Sequence, residues 1–335
     1  MTASQLTVVP SAVDWLLEEC DPGVRYLALR DLVETDVASL AQARKLAHQH
    51  GPIAKVLSAM QSEGYWEEPG PGYRPKYRST VWSLILLAQL GGAAQEDERI
   101  AAACTYLLDH AWHPHGQLSA GEAASHTIDC LQGNLCWALL ELGCTDPRLE
   151  KSFEWLARTI TGEGLAPKGT KDAEMRYYAY KCGPGFQCGA NYELPCAWGA
   201  AKEMLALSRL PINMHTPLID RAIQQGVDFL FSVDLPTADY PRKNEKPNRA
   251  WWSFGFPVFY VTDLLQVAEA LVNLGYASDP RLAGLLELIR AKQDEQGRWK
   301  LEYVYGSKTW GNFGRKNQAN KWVTLRALRV LTPAR

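Results

Sequence analysis

Three features of the sequence predict an all-α protein built as a closed ring of helical hairpins. Apolar stretches of helical length recur along the chain, most of them end in Leu-Gly before a short turn, and nearly all-apolar helices alternate with amphipathic ones.

The opening segments SAVDWLLEECDPGVRYLALRDLV (11–33) and VASLAQARKLAHQHGPIAKVLSAM (37–60) read as helices and supply a first turn of the ring. STVWSLILLAQLGGAAQEDERIAAACTYLL (79–108) sets the pattern: an apolar helix, Leu-Gly, a turn carrying Asp-x-Arg, then an amphipathic helix. GNLCWALLELGCTDPRLEKSFEWLA (133–157) and VTDLLQVAEALVNLGYASDPRLAGLLELI (261–289) repeat it. CAWGAAKEMLALSRLPINMHTPLIDRAIQQGVDFLF (196–231) is a weaker copy, and WVTLRALRVL (322–331) is a final half. Gly91, Gly143 and Gly275 stand where a helix end takes a left-handed residue. Asp146 and Asp279, each followed by proline, stand where the next helix takes an N-cap and a first-turn proline. The apolar helix of each pair is expected inside and the amphipathic one outside. Closing such pairs into an α/α toroid buries the inner helices most fully. A tail over 1–10 is expected ahead of a single domain, 11–335.

Loop lengths are unequal in a regular way. Connections from inner to outer helix are short, whereas those from outer to inner (61–79, 112–132, 162–195, 232–260 and 293–321) are long. Every long loop therefore leaves at the end where inner helices begin, which is the end expected to bind ligand. Helix N-termini there favour anions.

With 47% hydrophobic and 21% charged residues, the composition is that of a folded globular chain, and a formal charge of −2 argues against a nucleic-acid-coating protein. The start MTASQLTVVPSAVDW has no basic opening followed by a long apolar run, so no secretory signal is expected. No stretch approaches roughly eighteen uninterrupted apolar residues, so no transmembrane segment is expected either. The expected location is the cytoplasm, where thiols stay reduced. The eight cysteines are then core residues or metal ligands rather than disulfides.

Two long loops end in related signatures, QSEGYW (Gln61–Trp66) and QDEQGRW (Gln293–Trp299), the second a Q-x3-G-x-W and the first one residue shorter. These resemble the QW repeats of squalene–hopene and oxidosqualene cyclases. Together with the loop alternation and the Leu-Gly helix ends, they make the chain resemble the terpenoid cyclases and protein prenyltransferase beta subunits, all α/α toroids. The C-terminal third resembles bacterial prenyltransferase/squalene-oxidase-repeat proteins. The resemblance implies a toroid with a central cavity for an apolar, isoprenoid-like substrate carrying an anionic head group. Neither the D-x-D-D acid of class II cyclases nor the D-D-x-x-D magnesium motif is present. Asp129 and Cys130 are adjacent, not spaced as the Asp-x-Cys zinc pair of the prenyltransferases.

Candidate sites fall at the long-loop end. Cys182, Cys188 and Cys196 lie in or beside the 162–195 loop, and SHTIDC places His126 and Cys130 before the neighbouring inner helix. Cys130, Cys182, Cys188 and Cys196 are candidate zinc ligands, because zinc takes four tetrahedral ligands and thiolates bind it as anions. The other reading is buried or idle thiols. Cys20, Cys104, Cys136 and Cys144 read as packing. Asp129 and Asp263, near the starts of two inner helices, are candidate catalytic acids or bases, or helix caps. Tyr77, Arg78, Trp252, Phe256, Tyr260 and Trp310 are the candidate substrate contacts: aromatics for an apolar chain, the arginine for an anionic group. Aromatics packing loop on helix, and a solvated basic rim, are the alternatives.

The functional expectation is a cyclase- or prenyltransferase-like enzyme acting on an apolar small molecule beside a cysteine-held zinc. The alternatives are a toroid that binds or scaffolds without catalysis, and a polysaccharide lyase or hydrolase. A deep Trp- and Phe-lined cavity favours the first, a filled centre the second, and a cleft with several carboxylates the third.

Overall fold

The structure, a computed structural model, describes residues 10–177 and 183–332. It is mostly helical, and the only paired strands among the described residues are the two-residue stretches Gln187–Cys188 and Leu194–Pro195. No described helix is long and apolar enough to cross a membrane.

The two opening segments each break in two. The first gives α1 (Pro10–Leu16) and α2 (Pro22–Asp31), the second α3 (Val37–Gln49) and α4 (Pro52–Ser58). A proline starts both α2 and α4, and Asp21 accepts the Val24 N–H to cap α2. The apolar members of the repeats form α5 (Thr80–Leu90), α7 (Asp129–Glu141), α9 (Ala197–Leu207), α11 (Leu264–Leu271) and α13 (Lys321–Leu331). Their amphipathic partners are α6 (Glu98–Ala111), α8 (Arg148–Thr161), α10 (Pro217–Leu230) and α12 (Ala283–Ala291). All of α5 except Gln89 is buried, whereas α6 buries one stripe, including Ile100, Ala103, Cys104, Leu107 and Leu108. That difference is the one the residue periodicity requires.

Contacts run α2 to α5, α5 to α7, α7 to α9, α9 to α11, α11 to α13, and from α13 back to α2. The succession closes on itself. Helices α3, α6, α8, α10 and α12 each lie against the inner helix before them, and α1 lies against α2 and α13. Gly91 ends α5 in the left-handed region at φ 84°, as its position predicts. The helix expected to run on to Gly275 instead widens after Leu271 into a π-turn, Val272–Tyr276, with Gly275 at φ 91°.

Three outer helices start alike. Asp97, Asp146 and Asp279 each accept the backbone N–H two residues on, and each takes a forked bond from the arginine there, Arg99, Arg148 or Arg281.

The two Gln/Trp signatures are superposable in their bonding. Trp66 and Trp299 are fully buried, and their indoles donate to Val56 O (2.8 Å) and Ile289 O (2.7 Å) on the outer helix before. Their backbone N–H groups donate to Thr80 Oγ1 (3.2 Å) and Thr324 Oγ1 (3.0 Å) on the inner helix after. Each motif thus staples one hairpin to the next.

Candidate functional site

The segment 254–260, FGFPVFY, runs past α5, α7 and α13 before α11 begins. Gln89 of α5 donates to Val258 O (2.8 Å) and accepts the Val258 N–H (2.7 Å). Asn134 of α7 donates to Phe259 O (3.4 Å), and Arg326 of α13 donates to Gly255 O (2.7 Å). Phe256 stacks on Trp322, 4.5 Å between ring centres. These contacts hold the segment between α5, α7 and α13.

On the long-loop side, aromatic rings pack on one another. Tyr77 packs on Trp82 (5.2 Å), Phe259 (5.4 Å) and Tyr305 (4.7 Å), and Tyr260 packs on Trp82 (5.0 Å). The Tyr73 and Tyr260 hydroxyls bond at 2.7 Å. Arg78 lies over the Trp310 ring at 4.2 Å and pairs with Glu67 at 3.2 Å, while the Trp310 indole donates to Ser83 Oγ. Trp252 stands apart, its indole donating to Pro236 O. Of the six expected substrate contacts, four therefore pack loop on helix around one aromatic knot, Trp252 packs elsewhere, and Phe256 lines a cavity at the C-terminal ends of the inner helices.

Asp263 is buried and fully engaged. Its Oδ1 caps α11 by accepting the Gln266 N–H (2.9 Å) and takes Arg326 Nη2 (3.0 Å); its Oδ2 takes Gly255 N–H and Arg326 Nη1, both at 3.0 Å. Four donors leave no oxygen for a substrate.

Asp129, at the first position of α7, is different. Among the described residues its Oδ2 accepts only the Gly183 N–H, at 3.3 Å, and its Oδ1 is buried without a hydrogen-bond partner. Close by on α9 stands Glu203, 1% exposed, whose Oε1 is likewise buried and without a donor. Cys130 and Cys196 share this place: a Cβ added at Gly199 would lie 3.5 Å from Glu203 Oε1 and 3.9 Å from the Cβ of each cysteine. Cys196 is hydrogen-bonded to Cys188, which also acts electrostatically on Asp129, Cys130 and Glu203. Gly133 makes the gathering possible, because a Cβ there would meet Glu203 N at 2.7 Å and Lys202 C at 2.8 Å. Only glycine lets α7 approach α9 so closely.

Burial sets the titration of the cluster. It pushes both carboxyls, Asp129 and Glu203, well above the ordinary carboxylate range, and Asp129 adds to the rise at Glu203. Burial likewise raises the Cys130 thiol to about 12, although Lys202 pulls the other way. The hydrogen bond that Cys196 donates to Cys188, then burial, raises its thiol. Burial lowers Lys202 to about 8; its ammonium donates to Thr262 Oγ1, with Trp198 O at 3.4 Å.

Cys188 also lines a pocket of about 320 Å³ with Pro167, Tyr177 and Pro184, so the cluster borders an opening. Of the four expected zinc ligands, Cys130, Cys188 and Cys196 come together, and Cys182 lies outside the described residues. Among the described residues no three Cys, His, Asp or Glu side chains stand as a ready ligand set for a metal ion. His126 lies elsewhere, its Nδ1 pressed towards Gly121. Cys104 and Cys136 are buried as expected of packing residues; Cys20 is exposed, near Lys321 and Glu18. Sequence reasoning missed Lys202 and Glu203. Their signal is a charged pair inside AWGAAKEMLAL, an otherwise apolar inner helix.

On the other side of the 254–260 segment, a cavity of about 390 Å³ lies among the C-terminal ends of all six inner helices, with Phe256 and Val258 in its lining. Its walls carry Arg30, Asp31, Asn134, Trp137, Glu141, Arg209, Gln266, Glu269, Asn273, Arg326 and Arg329. This is the short-loop end, opposite the one expected to bind ligand.

No model of a known protein family matches the chain, and neither does any curated protein. Among solved structures, a protein from Actinoplanes matches at 15% identity and a TM-score of 0.45, over 97% of this chain and 98% of that one. The type II terpene cyclase MstE from Scytonema, in its apo form, matches at 13% identity and a TM-score of 0.33, over 88% of this chain and 98% of that one. Likenesses this remote carry no argument about the chain's activity.

Proposed function

We propose that the protein is an α/α-toroid enzyme of the cyclase/prenyltransferase kind, with its reactive centre at the thiol–carboxyl cluster where α7 and α9 begin. One observation carries this reading: Asp129 Oδ1 and Glu203 Oε1 are buried without donors among the described residues, in the company of Cys130, Cys188 and Cys196. Buried acceptors left unsatisfied call for a cation or a proton that answers them. The donor chemistry, thiols with carboxylates, fits zinc. Cys130, Cys188 and Cys196 would hold it, with Cys182 as the fourth thiol by sequence, and bound zinc would supply a Lewis acid. Lys202 places a positive charge behind the thiols and favours their ionised form. The pocket at Cys188, walled by Pro167, Tyr177 and Pro184, is the route for a small, largely apolar substrate. The closed succession of inner-helix contacts supports the toroid. A thiolate site of this kind belongs in a reducing compartment such as the cytoplasm.

A second reading, a toroid that binds or scaffolds without catalysis, draws support from the aromatic knot packed on the long-loop side. Elemental analysis separates the two. The enzyme reading expects about one zinc per chain, lost in Cys188→Ser and Cys196→Ser but kept in Cys136→Ser. Protein purified without chelator and free of metal would sink the zinc centre and leave the scaffold.

A further inference from the structure

Two further thiols, Cys104 and Cys144, meet where one hairpin packs on the next. Cys104 is on α6 and is 2% exposed, whereas Cys144 is half-buried in the turn between α7 and α8. Two bonds hold these stretches of chain together. The Ala94 N–H, ahead of α6, donates to Leu142 O (2.8 Å), and Asp109, near the end of α6, takes Arg148 Nη1 at the start of α8 (2.7 Å). Between those ties along both stretches, the Cys104 thiol donates a hydrogen bond to Cys144 Sγ.

The two sulfurs have unlike surroundings. The hydrogen bond from Cys104, foremost, then the Asp146 N–H and the Arg148 guanidinium lower the Cys144 thiol to about 7, against burial and the Asp146 carboxylate. The same hydrogen bond, then burial, raises Cys104. Burial pushes Cys136 upward too, so an acidic thiol is particular to the turn. Cys144 is therefore ionised in part at neutral pH and reachable from solvent. Cys104 keeps its proton and already touches the sulfur that it would attack.

We propose that Cys144 and Cys104 form a peroxide-reactive pair, Cys144 the attacking thiol and Cys104 the resolving one, that closes to a reversible disulfide. The Cys144 thiolate attacks hydrogen peroxide: an S–O bond forms, the O–O bond breaks and hydroxide leaves, giving the sulfenic acid. Cys104 sulfur then attacks Cys144 sulfur: the S–S bond forms, the S–O bond breaks, and the departing oxygen takes the Cys104 proton and leaves as water. Two thiols are oxidised and one peroxide is reduced. A partly covered sulfur favours a small hydroperoxide over a bulky disulfide as the oxidant. The bond ties the α5–α6 hairpin to the α7–α8 hairpin until a thiol reductant opens it. The pair shares no residue with the proposed zinc centre, so either reading can fail without the other.

The full chain, treated with hydrogen peroxide, blocked with N-ethylmaleimide and digested, is expected to yield a Cys104–Cys144 disulfide peptide by mass spectrometry, and dithiothreitol should remove it. Cys144→Ser should abolish the bond. Cys104→Ser should leave a sulfenic acid on Cys144 that dimedone traps, with the helical circular dichroism unchanged in both variants. The midpoint pH for alkylation of Cys144 by iodoacetamide should lie near 7 and rise towards the ordinary thiol value of about 8.5 in Cys104→Ser. Three results overturn the proposal: both thiols still free after peroxide, either of them joined to a different cysteine instead, or a Cys144 midpoint at or above the ordinary thiol value.

Discussion

Asp129 and Asp263 hold matching places at the starts of inner helices, yet their surroundings are opposite. Asp263 receives four donors, two of them from the buried Arg326, so its work is to cap α11 and balance that guanidinium. Asp263→Ala leaves Arg326 with Glu269 alone. The expected loss is about 3–5 kcal/mol, as for other broken buried pairs, read from denaturant unfolding. A loss below about 1 kcal/mol, the worth of a surface pair, would remove this structural role. Among the described residues Asp129 keeps an oxygen without a donor, and its neighbours Glu203 and Cys130 explain why it matters. The sequence marked Asp129, Cys130, Cys188 and Cys196 by residue type and loop position. It could not mark Glu203, because only the close approach at Gly133 brings the middle of α9 against the start of α7. Nor could it tell the two aspartates apart, since Arg326 lies more than sixty residues from either along the chain.

The hairpin repeat was legible at the level of elements because its punctuation is local. The Asp-x-Arg starts of α6, α8 and α12 all formed as capped, forked pairs. The arginine bond, foremost, holds Asp97, Asp146 and Asp279 below the ordinary carboxylate value. A depressed folded value means that folding favours the ionised form. Their stabilisation is therefore complete above the unfolded value of about 3.9 and is lost as pH falls through the lower folded values. Asp97→Ala should cost about 1 kcal/mol at neutral pH, and the difference from the parent should shrink in thermal melts taken below that value. A difference that persists unchanged in acid would rule out the charged cap. The Gln/Trp signatures make a matched pair of tests. Trp66→Phe and Trp299→Phe each remove one buried hydrogen bond to a carbonyl that keeps a backbone donor, so each should cost about 1 kcal/mol, and the two losses should agree closely. Unequal losses would show that the staples are not equivalent. A third turn of the same kind escaped notice: His113 N–H donates to Gln117 O, Gly116 N–H to His113 O, and Leu118 N–H to the Gln132 side chain. Leucine stands there in place of tryptophan, so no motif announced it.

For the molecule as a whole, the alternation of buried and half-wet helices foretold the hairpins, and the contacts from α13 back to α2 complete their circuit. The polarity of the ring was harder to read. Long loops pointed to one end as the binding face, and the thiol cluster does lie there. Phe256 and Tyr260 read as contacts for an apolar substrate; in the fold their segment is tied to α5 through Gln89 and to α13 through Arg326. Arginines at the inner-helix ends were lost among apolar residues, because their carboxylate partners come from other turns of the ring. As a tie, the segment joins helices far apart in the chain: α5 and α13 are separated by more than two hundred residues and share it.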